Sequence, residues 1–196
     1  MKARTKREIR KEKIRRQKTR TIITWGVVGV TIVTMSAYLL WINVRPAAGQ
    51  SVPVMEDTGH VEEGQDPGPY NSNPPTSGKH YANEYEAGFY EENSPEARVP
   101  YPEGYLGHNL EHGYVIIWYN CDLNSDEECS LLKGQIKSVI EDANNFKVIA
   151  FPWKTIDEPV MMTSWGQIER FDNFDPKAAL NFISRNRNHA PEPNAP

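Results

Sequence analysis

The chain has 196 residues and a net charge of −4, with 38% hydrophobic and 24% charged residues, and a mean hydropathy of −0.65. That length suits one modest domain with appendages, and that composition excludes a polytopic membrane protein, a collagen-like chain, a coiled coil and a wholly disordered chain. The charge is unevenly spread, because residues 1–20 hold eleven lysines and arginines against Glu8 and Glu12, which leaves the remainder strongly acidic.

After the basic tail, residues 21–44 read TIITWGVVGVTIVTMSAYLLWINV, without a charged side chain. As a helix rising about 1.5 Å per residue they reach roughly 36 Å, enough to cross a hydrocarbon core of about 30 Å. Trp25 near one end, and Tyr38 and Trp41 near the other, set amphipathic rings at headgroup depth, and Arg45 closes the segment. The run exceeds the roughly 7–15 apolar residues of a signal-peptide core, so an uncleaved single-pass anchor is expected rather than a cleaved leader. Basic residues stay on the cytoplasmic side of a span. This predicts tail 1–20 inside, against anionic lipid headgroups, and everything after Arg45 outside. Nucleic-acid binding is not expected of a basic run placed directly against a span.

Residues 46–70 are rich in Pro, Gly, Glu and Asp and read as a lead-in, with a linker over 45–57. The expected extracytoplasmic domain covers 58–188, and a disordered tail covers 189–196. Within the domain, residues 71–107 are dense in Asn, Pro, Gly and Tyr without apolar periodicity. Tyr81, Tyr85, Phe89, Tyr90, Tyr101 and Tyr105 argue for an ordered, loop-rich layer, the kind of long connection that carries function.

Regular elements follow. YVIIWY (114–119), FKVIAF (146–151, ended by Pro152) and PVMMTSW (159–165) read as strands. Leu131, Leu132, Ile136, Val139 and Ile140 are spaced for an amphipathic helix over 127–143. Asp175 as N-cap and Pro176 at the first helical position open a second helix to about Asn186. The succession predicts a small mixed-sheet domain of α+β (or α/β) class with a loop-rich N-terminal half. Cys121 and Cys129 lie in the exported part, in NCDLNSDEECS, where two nearby cysteines form a structural disulfide; their spacing excludes a CxxC redox pair.

Four histidines, His60, His80, His108 and His112, lie in the loop-rich half. GHNLEHGY (107–114) contains H-x-x-E-H, the inverted metalloprotease signature in which helical imidazoles bind zinc and the glutamate activates water. Gly107 and Gly113 fence the motif and a strand begins at Tyr114, so no long helix is expected and a hydrolase is disfavoured. A shared ion requires a turn at 108–112, since imidazoles four residues apart come within about 5–6 Å in a helical turn but stand roughly 13 Å apart along a strand. NPPTSGKH (73–80) combines two prolines with a glycine into a rigid bend that presents His80. Met161 and Met162 fall on opposite faces of their strand and are expected in the core.

NPPTSGKHY, HNLEHGYVIIWY, MTSWG, FDNFD and the closing RNR together resemble a bacterial family known as domain of unknown function 3105, over about residues 58–188. The resemblance implies a small protein with one N-terminal membrane anchor and carries no established activity. It matches the family's motif histidines to His80, His108 and His112, with His60 a weaker match, and departs at Lys79, where proline is usual. The expected function is therefore a membrane-anchored extracytoplasmic domain whose His80, His108, His112 and Glu111 hold copper or zinc. The alternative is a cell-envelope interaction or scaffold module with structural histidines, its protein partner unspecified.

Overall fold

A computed structural model of the chain describes residues 6–44 and 46–195. Residues 1–5 of the basic tail, Arg45 as the charge closing the span, and Pro196 lie outside the described residues. The chain divides into two compact units, residues 1–45 and 46–196.

The described residues of the first unit form one helix, α1, Lys6–Val44, of 39 residues. It begins well before the apolar run, because the preceding stretch is built of strong helix formers and is braced by ion pairs such as Arg16–Glu12 at 2.7 Å. Its candidate span, Arg10–Trp41, is long and apolar enough to cross a membrane. The threonines within it return their hydroxyls to the helix: Thr24 donates to the Arg20 carbonyl at 2.9 Å and Thr31 to the Val27 carbonyl at 3.0 Å. That internal bonding removes the desolvation penalty of a hydroxyl in an apolar medium.

The second unit is α+β. Its elements are β1 (Gln50–Ser51), β2 (Gly88–Phe89), α2 (Glu103–Glu111), β3 (Val115–Tyr119), α3 (Asp126–Asp142), β4 (Val148–Pro152), β5 (Val160–Ser164), β6 (Gln167–Phe171) and α4 (Pro176–Asn186). They form one mixed six-stranded sheet of order β1-β6-β5-β3-β4-β2. β3 and β4 run parallel, with Val115 opposite Val148, as do β2 and β4; the remaining pairs are antiparallel. β3 is buried at every residue, as an unbroken VIIWY run requires of a central strand covered on both faces.

Alternation along the strands divides the core. Val115, Ile117, Tyr119, Val160 and Met162 pack with Ile136, Val139 and Ile140 of α3 and Phe182 and Ile183 of α4. Ile116, Trp118, Ile149, Phe151 and Met161 face the other way, onto Leu106 and Leu110 of α2. Both methionines are fully buried in the core, one on each face. α3 starts at a capping box formed by Ser125 and Glu128, and the Asp175 carboxylate accepts from the Lys177 amide at the start of α4. The sulfurs of Cys121 and Cys129 lie within bonding distance, with their Cα atoms 5.3 Å apart, and tie the turn after β3 to the first turn of α3.

Several features depart from the sequence reading, among them β2 inside the expected loop layer and a tail, expected to be disordered, whose Glu192 amide donates to the Glu111 carbonyl. α2 replaces the end of the expected loop layer and runs through Gly104 and Gly107. β6 is an additional strand, joined to β5 by a tight turn with Gly166 at φ +67°. Residues read as lead-in supply β1, which pairs with β6, while the Ala48 amide and carbonyl are both bonded by the Asn186 side chain.

The long segment 52–87 covers the α2 face of the sheet, and specific polar contacts hold it there. Trp153 Nε1 donates to Asn73 Oδ1 at 2.8 Å, Asn73 Nδ2 donates to the Thr155 carbonyl at 2.9 Å, and the Gly166 amide donates to the Thr76 carbonyl at 3.1 Å. The NPPTSG bend is buried from Pro74 to Gly78.

Candidate metal centre

The site forms where that bend meets α2. The approach is too close for side chains larger than hydrogen. A Cβ on Gly104 would stand 2.4 Å from the Tyr81 ring, and one on Gly107 would stand 2.8 Å from His80 Cβ. The glycine read as fencing the motif is therefore a packing glycine inside a helix. It admits His80 against the helix surface. Gly113 does end α2, at φ +82°, with the Asn188 backbone 2.7 Å from where its Cβ would be.

The helix places His108 and His112 one turn apart, with ring centroids 4.3 Å apart. The bend delivers His80, fully buried, with its ring 5.3 Å from that of His108. His60, exposed, is held beside it by a β-bridge to His80, and its ring stacks 5.2 Å from His108. These contacts separate the donors into two overlapping groups. His60, His80, His108 and Glu111 form one, and Glu84, His108 and His112 form the other; within each group the ligand atoms lie within 4.8 Å of one another. His80, His108 and Glu111 thus share a group, while His112 belongs with Glu84 and His108 in the other. Sequence reading passed over Glu84, which carries no motif, and gave His60 only the weaker place.

Hydrogen bonds fix the ring nitrogens. His108 Nδ1 lies 2.8 Å from the Tyr81 carbonyl, an oxygen that can only accept, so Nδ1 carries the proton and Nε2 the lone pair. Burial, reinforced by the neighbouring His112, pushes the His108 pKa below the usual histidine value, favouring the neutral ring that a metal requires. His80 Nδ1 likewise faces the Gly78 carbonyl at 2.9 Å, and its Nε2 is 3.0 Å from Glu111 Oε2. An imidazole with oxygen acceptors at both nitrogens is satisfied either by two protons or by a cation shared between Nε2 and the carboxylate. Two ligands on one zinc with bonds near 2.0 Å stand roughly 3.3 Å apart, close to this separation.

The second group has its own support. His112 Nδ1 is 2.8 Å from Glu84 Oε2, and its Nε2 is 3.8 Å from Glu192 Oε2. Asn109, fully buried, clips the backbone of Tyr85 from both sides: its Nδ2 donates to the Tyr85 carbonyl at 2.8 Å, and its Oδ1 accepts from the Tyr85 amide at 3.1 Å. That clip positions Glu84 opposite His112. Lys147 donates to the His112 carbonyl at 2.8 Å and the Pro193 carbonyl at 2.9 Å, and the Glu192 amide donates to the Glu111 carbonyl at 3.0 Å, which ties the C-terminal segment to the end of α2.

Against known proteins, a family model described as "Protein of unknown function (DUF3105)" matches residues 60–196, a span that begins at His60 and includes all the donors above. No curated protein and no solved structure matches the chain.

Proposed function

The chain belongs to the DUF3105 family, and from its own geometry we propose that it is a membrane-anchored metal-binding protein whose folded unit lies outside the cytoplasm. The observation that carries this reading is the first donor group, three imidazoles and a carboxylate with ligand atoms within 4.8 Å of one another. Nitrogen and carboxylate donors suit Zn(II) or Cu(II). A Cu(I) site would want thioether or thiolate, and Met161 and Met162 are sealed in the core. Glu111 stands against His80, so it serves as ligand or bridge rather than as the water-activating base of a hydrolase. The anchor is the apolar part of α1. Its basic flank, turned to the cytoplasm, binds anionic headgroups, and a Cys121–Cys129 disulfide fits an oxidising compartment.

Equilibrium dialysis of the full-length chain in detergent against Zn(II), with elemental analysis, tests the proposal. Wild type should retain the ion, and His80→Ala and His108→Ala should lose at least tenfold in affinity, the lower end of what removal of even an outer-shell partner does. Equal, weak retention by all three would leave the scaffold reading, which the hydrogen bonds at His80, His108 and His112 support.

A further inference from the structure

Granted the metal-binding reading, we propose that His108 is a relay ligand: one divalent transition-metal ion exchanges between the His60–His80–Glu111 donors and the Glu84–His112 donors while remaining on His108. The two donor groups share this one residue. Its Nδ1 is committed to the Tyr81 carbonyl at 2.8 Å, so it offers a single lone pair, on Nε2, and that lone pair serves one ion at a time. Two ions cannot share that nitrogen, so with His108 as a ligand the two groups are alternative donor sets for one ion.

The surroundings suit passage. His80 and His108 are buried, but each group opens to solvent at its far end, the first through exposed His60 and the second through Glu84 and Glu192, whose side chains are 27% and 62% exposed. The rings of His60 and His80 stand 5.2 and 5.3 Å from that of His108, and the ring of His112 stands 4.3 Å away, so His108 is in reach of donors from both groups. In the exchange, bonds to His60, His80 and Glu111 break as bonds to Glu84 and His112 form. No electron moves. Anchoring Tyr81 and Tyr85, whose backbones hold His108 and Asn109, keeps both donor sets in register with α2.

The test uses the full-length chain in detergent, Zn(II) for stoichiometry and Co(II) absorption for the ligand set. Wild type should take one ion. His60→Ala and His112→Ala should each still take one, at least tenfold more weakly and with Co(II) spectra that differ from each other; His108→Ala should abolish both modes. Should His112→Ala lose its circular-dichroism signature, Glu84→Gln interrogates the same donors. Two ions per wild-type chain would show independent sites and overturn the relay. So would a second-group variant with wild-type affinity and spectrum. A wild-type chain that takes no ion removes the metal-binding reading itself, a separate and recognisable failure.

Discussion

At the residue scale, glycine carries a role that its helix propensity hides. Gly107 lies inside α2, where alanine would ordinarily stabilise by about 1 kcal/mol. Here the added methyl meets His80 Cβ at 2.8 Å, and that atom carries a buried ring bonded at both nitrogens, so it cannot yield freely. Overpacking of this kind typically costs about 1–3 kcal/mol, so the clash outweighs the propensity gain. Gly107→Ala should therefore lower stability in denaturant titration and weaken Zn(II) retention together. A stabilised Gly107→Ala with unchanged binding would mean that the bend does not press on the helix. Asn109 makes a companion case. Replacing it with alanine strands the Tyr85 amide and carbonyl, and unfolding midpoints should report a loss of about 1–3 kcal/mol, the penalty of leaving buried polar groups without partners.

Among the elements, legibility followed burial and capping. β3 announced itself as an unbroken apolar run, α3 through the spacing of Leu131, Leu132, Ile136, Val139 and Ile140, of which Leu131 alone points to solvent, and α4 through Asp175 and Pro176. β6 did not, because Gln167, Glu169 and Arg170 interrupt the apolar pattern of a strand that lies toward one edge of the sheet. Its available signal was the Trp165–Gly166 turn between two short runs. α2 was hidden by its glycines, which read as breakers and are in fact contact points for Tyr81 and His80. The site was legible in part for the same reason. His80, His108, His112 and Glu111 sit in recognisable motifs, whereas Glu84 is brought in by a tertiary contact, the Asn109 clip, that no local pattern records. The disulfide closes a loop of sequence separation 8. In the chain-entropy account so short a loop contributes about 2.5 kcal/mol. Cys121→Ser should lower stability by that order, and mass spectrometry of non-reduced protein should find the two cysteines linked within one chain. Free thiols in protein taken from the envelope would contradict the proposed compartment.

For the whole molecule, the aromatic layer makes the fold sensitive to alkali. Burial raises the phenol pKa values of Tyr70, Tyr85 and Tyr119, and burial together with Glu96 pushes Tyr90 up to about 12. Raised folded-state values mean that stability is complete below the ordinary phenol value near 10 and falls as pH climbs through and beyond it. Phenolate absorbance of these groups should therefore appear together with loss of the circular-dichroism signal. Full ionisation near pH 10 with the fold intact would show the layer to be open to water. Orientation belongs to this scale too. A reporter active only in the cytoplasm, fused after Pro196, should be silent if the basic flank of α1 remains inside, and a strong signal would reverse the topology.

The central claim is that the bend and α2 together hold a transition metal, and anomalous diffraction at the zinc edge from crystals grown with Zn(II) tests it most directly. The account predicts an anomalous peak about 2.0–2.1 Å from a ring nitrogen of His108, with further ligands drawn from His60, His80 and Glu111 or from Glu84 and His112. A map with no peak at His108, or with zinc only on surface carboxylates, would contradict it.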